Sequence, residues 1–120
     1  ISTSVKEPIK GLGVSNTVRG AVASWAKTLA GEFGPHGITV NNVLPGFART
    51  GRLEELFAAR AKKENRSVAD IEAEAVALIP VRRIAAPEEV GAAIAFLASP
   101  AAGYINGVSL AVDGGRIQGL

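Results

Sequence analysis

Residues 38 to 46 read Ile38-Thr39-Val40-Asn41-Asn42-Val43-Leu44-Pro45-Gly46, and this stretch sets the fold class. Residues 38 to 44 form a short run rich in branched aliphatic side chains. Such a run suits a strand buried on both faces, as in a parallel sheet. Pro45-Gly46 ends it. Upstream, Val18, Val22, Trp25, Leu29 and Phe33 step by four, three, four and four residues, which draws one apolar face along a helix. Ser15 or Asn16 is placed to cap that helix, because either side-chain oxygen can accept a free first-turn N–H. Gly34-Pro35-His36-Gly37 stops it. Residues 6 to 13, with Pro8, Gly11 and Gly13, read as a loop, and residues 1 to 5 as the end of a strand with no beginning.

Downstream, Leu53, Leu56 and Phe57 indicate a short helix. Ser67, with Asp70 three residues on, resembles a helix start, and Val68, Ile71, Ala75 and Ile79 continue its apolar stripe as far as Pro80. Pro87 suits a first helical position, and Glu88 and Glu89 suit the positive helix end. Val90, Ala93, Ile94 and Leu97 are expected to be its buried face. Residues 108 to 112 form a last strand, ended by Asp113-Gly114-Gly115. Strands alternating with helices predict an α/β fold with a parallel sheet. Three such strands, the first of them cut, make a poor complete domain, since parallel sheets are normally covered on both faces and an open edge seeks a partner strand. The expectation is that residues 1–120 are the C-terminal part of a single domain whose N-terminal half is absent.

Composition narrows the function. No cysteine is present, which removes disulfides and thiolate chemistry and fits a reducing, cytoplasmic setting. One histidine excludes a multi-histidine metal site. No apolar run approaches the roughly 18 residues of a membrane span, and the N-terminus carries no signal-like core. Net charge is +2, and Arg60, Lys62, Lys63 and Arg66 are interleaved with Glu64. That mixture reads as a solvated helix face, not a nucleic-acid patch.

Three motifs, in order, resemble the C-terminal part of the short-chain dehydrogenase/reductase family. They are residues 38–46 with Thr50 following, residues 87–99 (Pro-Glu-Glu-Val-Gly-Ala-Ala-Ile-Ala-Phe-Leu-Ala-Ser), and residues 104–115 (Tyr-Ile-Asn-Gly-Val-Ser-Leu-Ala-Val-Asp-Gly-Gly). The resemblance implies a doubly wound, Rossmann-type sheet of which this chain supplies the last strands. It also implies an NAD or NADP cofactor, held mostly by a glycine-rich loop in the absent half. Gly11-Leu12-Gly13 is a decoy for that loop: Asn16 replaces the third glycine, and no strand runs directly into it.

The family's catalytic set is a Tyr, a Lys one helical turn later and a Ser thirteen residues before the Tyr. Here Ser15 holds the Tyr position, Arg19 the Lys position and Ser2 the Ser position, with Ser4 a nearby alternative. A phenol with a reference pKa of about 10 can be tuned toward working pH, whereas an aliphatic hydroxyl is a far weaker acid. Arg19 can still hold ribose hydroxyls through its fork of donors. Ser15 as helix cap and Ser2 as a plain strand-end residue are the competing readings. The only tyrosine, Tyr104, lies in the third motif. The resemblance assigns Pro45, Gly46, Phe47 and Thr50 to the nicotinamide and pyrophosphate end of the cofactor. Gly46 would permit close backbone approach and Thr50 would offer a hydroxyl. Residues 51 to 79 fall where the family carries its variable substrate lid; Leu53, Leu56 and Phe57 line a pocket or simply pack. His36 reads as a loop residue, and Asp113 as a strand end that bonds local backbone.

The expected activity is NAD(P)-dependent oxidation or reduction of a small carbonyl or alcohol at an atypical site, with water or a residue outside this chain supplying the proton. The alternative is a cofactor-binding or scaffold protein without chemistry, or an inactive fragment of a cleaved parent. The helix over residues 15 to 33 resembles the one through which family members associate, which implies a homodimer or homotetramer.

Overall fold

The computed structural model describes residues 1–119. Two parallel strands, β1 (Asn42–Pro45) and β2 (Ser109–Val112), pair in the register Asn42 to Ser109 through Pro45 to Val112. Around them lie α1 (Gly13–Phe33), α2 (Gly51–Glu64), α3 (Val68–Ala77) and α4 (Pro87–Leu97). The order confirms the α/β reading. No helix among the described residues is long and apolar enough to cross a membrane.

The strands are shorter than their sequence pattern. Before Asn42, side-chain bonds interrupt the ladder: Asn106 Oδ1 accepts from Val40 N at 2.9 Å and Asn41 Oδ1 from Val108 N at 3.1 Å, while Val40 O still accepts from Gly107 N at 2.9 Å. Asn41 Nδ2 donates to Ile105 O at 2.9 Å. Residues 1 to 5 do not form a strand. The Ile1 nitrogen donates to Val43 O at 2.7 Å, beside β1. Ser2 then accepts from Ser4 N at 3.2 Å, and residues Thr3–Val5 curl into a 3-10 turn.

The helix starts partly correct the sequence reading. α1 begins at Gly13 with no side-chain cap, so neither Ser15 nor Asn16 caps it. Asn16 instead grips Ile9, donating to its carbonyl at 2.9 Å and accepting from its N–H at 3.4 Å. Ser67 does cap α3, accepting from Asp70 N at 3.0 Å. Pro87 opens α4, and the Glu89 carboxylate reaches back to Ala86 N at 2.8 Å. α2 is fourteen residues long, more than the short helix expected.

The main core lies between α2 and α3, where Leu53, Phe57, Ala61, Ile71, Ala75 and Ile84 are buried together. Arg60 and Arg66 pair with Glu64 and Glu74 across its surface, so the basic stretch is a solvated ion-pair face. The layer containing the sheet is more open. α4 packs on β1 and β2 but buries none of its residues fully, and Ile94 is 53% exposed, against expectation. On α1 the buried residues are Ala26 and Ala30, while Val18 and Trp25 of the predicted apolar face are 56% and 63% exposed. The radius of gyration is 16.1 Å with extents of 54 × 28 × 26 Å. A compact chain of this length would have a radius of about 14 Å.

Candidate active site

The loop leaving β1 is pinned at both ends. Gly46 N donates to Val112 O at 3.0 Å. Phe47 O accepts from Ala85 N at 3.0 Å, and Arg49 N donates to Ala85 O at 2.9 Å, forming a parallel bridge between Ala48 and Ala85. Thr50 then caps α2, its hydroxyl accepting from Leu53 N at 3.3 Å. The Phe47 and Ala48 N–H groups have no partner among the described residues, which leaves two backbone donors at the carboxyl end of β1. Ligands of doubly wound sheets bind at that end.

Gly46 has a direct reason within the chain. A Cβ there would lie 2.7 Å from Asp113 Cβ and 2.8 Å from its Cα. The close approach it permits is therefore to the end of β2, whatever else the loop contacts. Asp113 in turn accepts from Gly115 N at 2.9 Å and Ile117 N at 2.8 Å, the local backbone role read from sequence.

A cleft of about 720 Å³ opens over this loop and brings most of the site residues together. Ser2, Arg19, Pro45, Gly46, Phe47 and Thr50 all line it, although they come from three separate stretches of chain. Ser15 does not line it and faces a neighbouring cleft with Gly13, Val14 and Val18. Arg19 stands on the ridge shared by both clefts. Its Nε donates to Ser15 Oγ at 3.0 Å and its guanidinium reaches Ile1 O at 3.2 Å. Ser15 and Arg19, one turn apart, thus act on each other first. Ser4 is buried, its hydroxyl has no partner among the described residues, and it does not line the cleft. Ser2 is the better placed of the two serines.

Leu53 and Phe57 belong to the α2–α3 core, with Leu53 also at the cleft wall, while Leu56 is 49% exposed and lines the cleft. The Phe47 ring packs at a tilt on Phe57, with centroids 6.2 Å apart, and carries the Arg116 guanidinium 5.0 Å above its centre. Sequence reasoning missed Arg52 and Arg116 as cleft residues. The signal for Arg116 was its position directly after the turn that ends β2. His36 lies in the turn after α1 and is exposed, as expected.

Ion pairs brace the surroundings. Arg83 chelates Glu89 with two bonds of 2.6 Å, and this guanidinium, then the Ala86 N–H, pulls the Glu89 carboxyl down to a pKa of about 2. Arg49 pairs with Glu72, which also lies below the usual carboxylate range. Among the described residues there is no cluster of His, Cys, Asp and Glu able to hold a metal.

A strand-and-helix layer with a cleft at the carboxyl end of its strands defines a nucleotide-binding type of α/β fold. The family model described as enoyl-(acyl carrier protein) reductase matches residues 2–116. The short-chain reductase protein NovJ of Streptomyces niveus is 45% identical over 100 residues, covering 83% of this chain and 37% of NovJ. The NADPH-dependent reductase BacG of Bacillus subtilis strain 168 is 33% identical over 115 residues, covering 96% of this chain and 44% of BacG. Among solved structures, YwfH, an NADPH-dependent reductase involved in bacilysin biosynthesis, superposes with a TM-score of 0.93 at 31% identity. That match covers 100% of this chain and 46% of YwfH. The chain belongs to the short-chain dehydrogenase/reductase family and spans less than half the length of these relatives.

Proposed function

We propose that this chain is the C-terminal half of an NAD(P)-dependent oxidoreductase that interconverts a small carbonyl compound and its alcohol. The observation that carries the reading is the shared cleft. Arg19, at the position matching the family's lysine, and the Pro45–Thr50 loop line one cavity at the carboxyl end of β1, with Ser2 on its wall. Arg19 would hold cofactor ribose hydroxyls, for which a guanidinium has spare donors. The unpartnered Phe47 and Ala48 N–H groups suit the carboxamide of a nicotinamide, and the Thr50 hydroxyl keeps its proton free to donate. The bound cofactor would supply the hydride. Ser2 would orient the substrate oxygen.

Ser15 is a poor proton donor on two counts. Its hydroxyl is a weak acid, and it faces the neighbouring cleft instead of this one. Water, or a residue outside this chain, would then deliver the proton. A scaffold without chemistry draws no support from the relatives, since NovJ and BacG are both named reductases. The cofactor is NADPH on this reading, by analogy with BacG.

The test is made on the full reductase chain. Arg19→Leu is expected to weaken NADPH binding, followed by cofactor fluorescence, by more than about tenfold, the equivalent of 1.4 kcal/mol. Ser15→Ala is expected to keep kcat within about tenfold of the parent. Unchanged NADPH affinity in the first variant, or abolished turnover in the second, would reject these assignments. The exposed apolar face of α1 supports a further part of the proposal, association into a dimer or tetramer. A clean monomer by light scattering would remove it.

A further inference from the structure

Resting on that reductase reading, we infer that the substrate is an organic acid: its apolar body lies along the cleft and its carboxylate is taken by Arg116 and Arg52. The chain is economical with its arginines. Arg19, Arg49, Arg52, Arg60, Arg66, Arg82 and Arg83 each donate to an oxygen of the protein. Arg116 is the exception: among the described residues its guanidinium meets no acceptor and rests on the face of Phe47. That placement is built. Asp113 fixes the turn through the N–H groups of residues 115 and 117, and Phe57 packs on the ring that Arg116 covers. A guanidinium held by an aromatic face keeps its fork of N–H donors available, and the fork matches a carboxylate.

The same cleft receives Arg52 from the first turn of α2. Arg52 has one partner, Glu55 at 3.3 Å, and both side chains are more than two-thirds exposed, at 74% and 71%. Water screens such a pair, and Arg52 can leave it for a ligand at little cost. Among the described residues, no Asp or Glu lines the cleft. Ser2, Thr3 and Thr50 add hydroxyls to its wall, and Ile9, Leu12, Leu56 and Val90 make an apolar stretch of it. Cationic donors beside an apolar wall select a molecule with an anionic head and a hydrocarbon body. Arg19 is not counted, because the proposed function assigns its spare donors to the cofactor ribose. The phosphates of the cofactor are the other source of negative charge in such a cleft, and the experiment separates the two.

The experiment uses the full reductase chain saturated with NADPH and two probes of matched shape, hexanoate and hexanamide. Their binding is measured by ligand-observed NMR at pH 7, where the acid is ionised. Hexanoate is expected to bind at least tenfold more tightly than hexanamide. In Arg116→Leu that margin is expected to fall below twofold, and in Arg52→Gln to fall severalfold, while NADPH affinity stays within twofold of the parent. Equal binding of the two probes, no binding of either, or a margin that survives in Arg116→Leu overturns the inference. So does a loss of NADPH affinity in the variants with the hexanoate margin intact, because the arginines then serve the cofactor phosphates. A parent chain that fails to bind NADPH rejects the reductase reading itself. The hexanoate margin and its loss in Arg116→Leu are then read on the unloaded protein and still decide the anion site. Arg116→Lys guards against misfolding, since it keeps the charge, loses the fork and is expected to retain part of the margin.

Discussion

α2 and α3 bury Phe57, Ile71 and Ala75 against one another, whereas α4, carrying Val90, Ile94, Phe96 and Leu97, buries none of its residues fully. Both regions are rich in apolar side chains. They differ in where the covering surface comes from. The α2–α3 pair is a hairpin of neighbours in sequence whose apolar stripes face each other across a short loop. The sheet layer is two strands wide, with α1 and α4 beside it and the apolar faces of both helices largely open. A parallel sheet needs cover on both faces and partners at its edges. The hairpin is thus finished locally, while the sheet layer keeps open apolar faces in a chain that spans 46% of YwfH and superposes on it with a TM-score of 0.93.

The largest effect expected tests this contrast in the full chain. Phe57→Ala should cost about 3–5 kcal/mol, as is usual for an aromatic ring removed from a filled core. Ile94→Ala is the informative partner. Covered by the rest of the domain, it should cost about 2–4 kcal/mol; left as open as it is here, it should cost less than about 0.5 kcal/mol. Chemical denaturation of both variants reads the difference. A small loss at Ile94 would break the comparison, because the sheet layer would then be finished without further cover.

The next effect falls at the seam between the two regions. Gly114 has φ +67°, and a Cβ there would lie 2.5 Å from Val81 Cγ2 and 2.7 Å from Ile79 Cγ2. Its carbonyl also accepts from Val81 N at 3.3 Å, tying the end of β2 to the segment after α3. Gly114→Ala should therefore cost about 1–3 kcal/mol through strain and overpacking. It should also loosen the Asp113 turn that carries Arg116. Gly91→Ala sharpens the Ile94 test from the same face of α4: with the space around its Cβ as open as it is here, it should be neutral or stabilising by up to about 1 kcal/mol. A destabilising Gly91→Ala would mean that another surface sits against α4.

The same division explains what could be read in the sequence. Period and turn residues gave the α/β order, because burial imposes a rhythm on each element wherever its covering surface lies. Ser67 was legible as a cap, since its partner is three residues away. Ser15 and Asn16 were not: the chain before α1 folds back, so Asn16 is occupied by Ile9 and Ser15 by Arg19. The apolar faces of α1 and α4 were correctly seen as apolar, but a periodic stripe does not reveal whether its cover is present. Residues 38–41 look like strand, yet the side chains of Asn41 and Asn106 share the bonding there with the backbone. At the site, the family resemblance pointed to the Pro45–Thr50 loop, Ser2 and Arg19, and these residues line one cleft. Arg52 and Arg116 required the fold, which brings residues sixty-four positions apart to one cleft.

The smallest effect concerns the ion pairs on the two regions. Glu74 is lowered below the usual carboxylate range first by Arg60 and then by Arg66, so two guanidinium groups share the work. Glu89, brought to a pKa of about 2 from an ordinary 4.5, has one guanidinium, Arg83, and one backbone donor, Ala86 N–H. A carboxyl depressed by folding stabilises the folded state fully above its unfolded pKa. That contribution is lost as pH falls from 4.5 through about 2, where the folded group takes up its proton. Both side chains are well exposed, so salt should weaken the effect. Carbon-detected NMR titration of the side-chain carboxyls measures it directly. Arg83→Leu should return Glu89 most of the way to the ordinary range, leaving the share of the Ala86 N–H. Arg60→Leu should move Glu74 less, because Arg66 remains at 2.8 Å. Equal movement of the two would mean that sharing among several arginines gives the hairpin no advantage over the single pair that anchors α4.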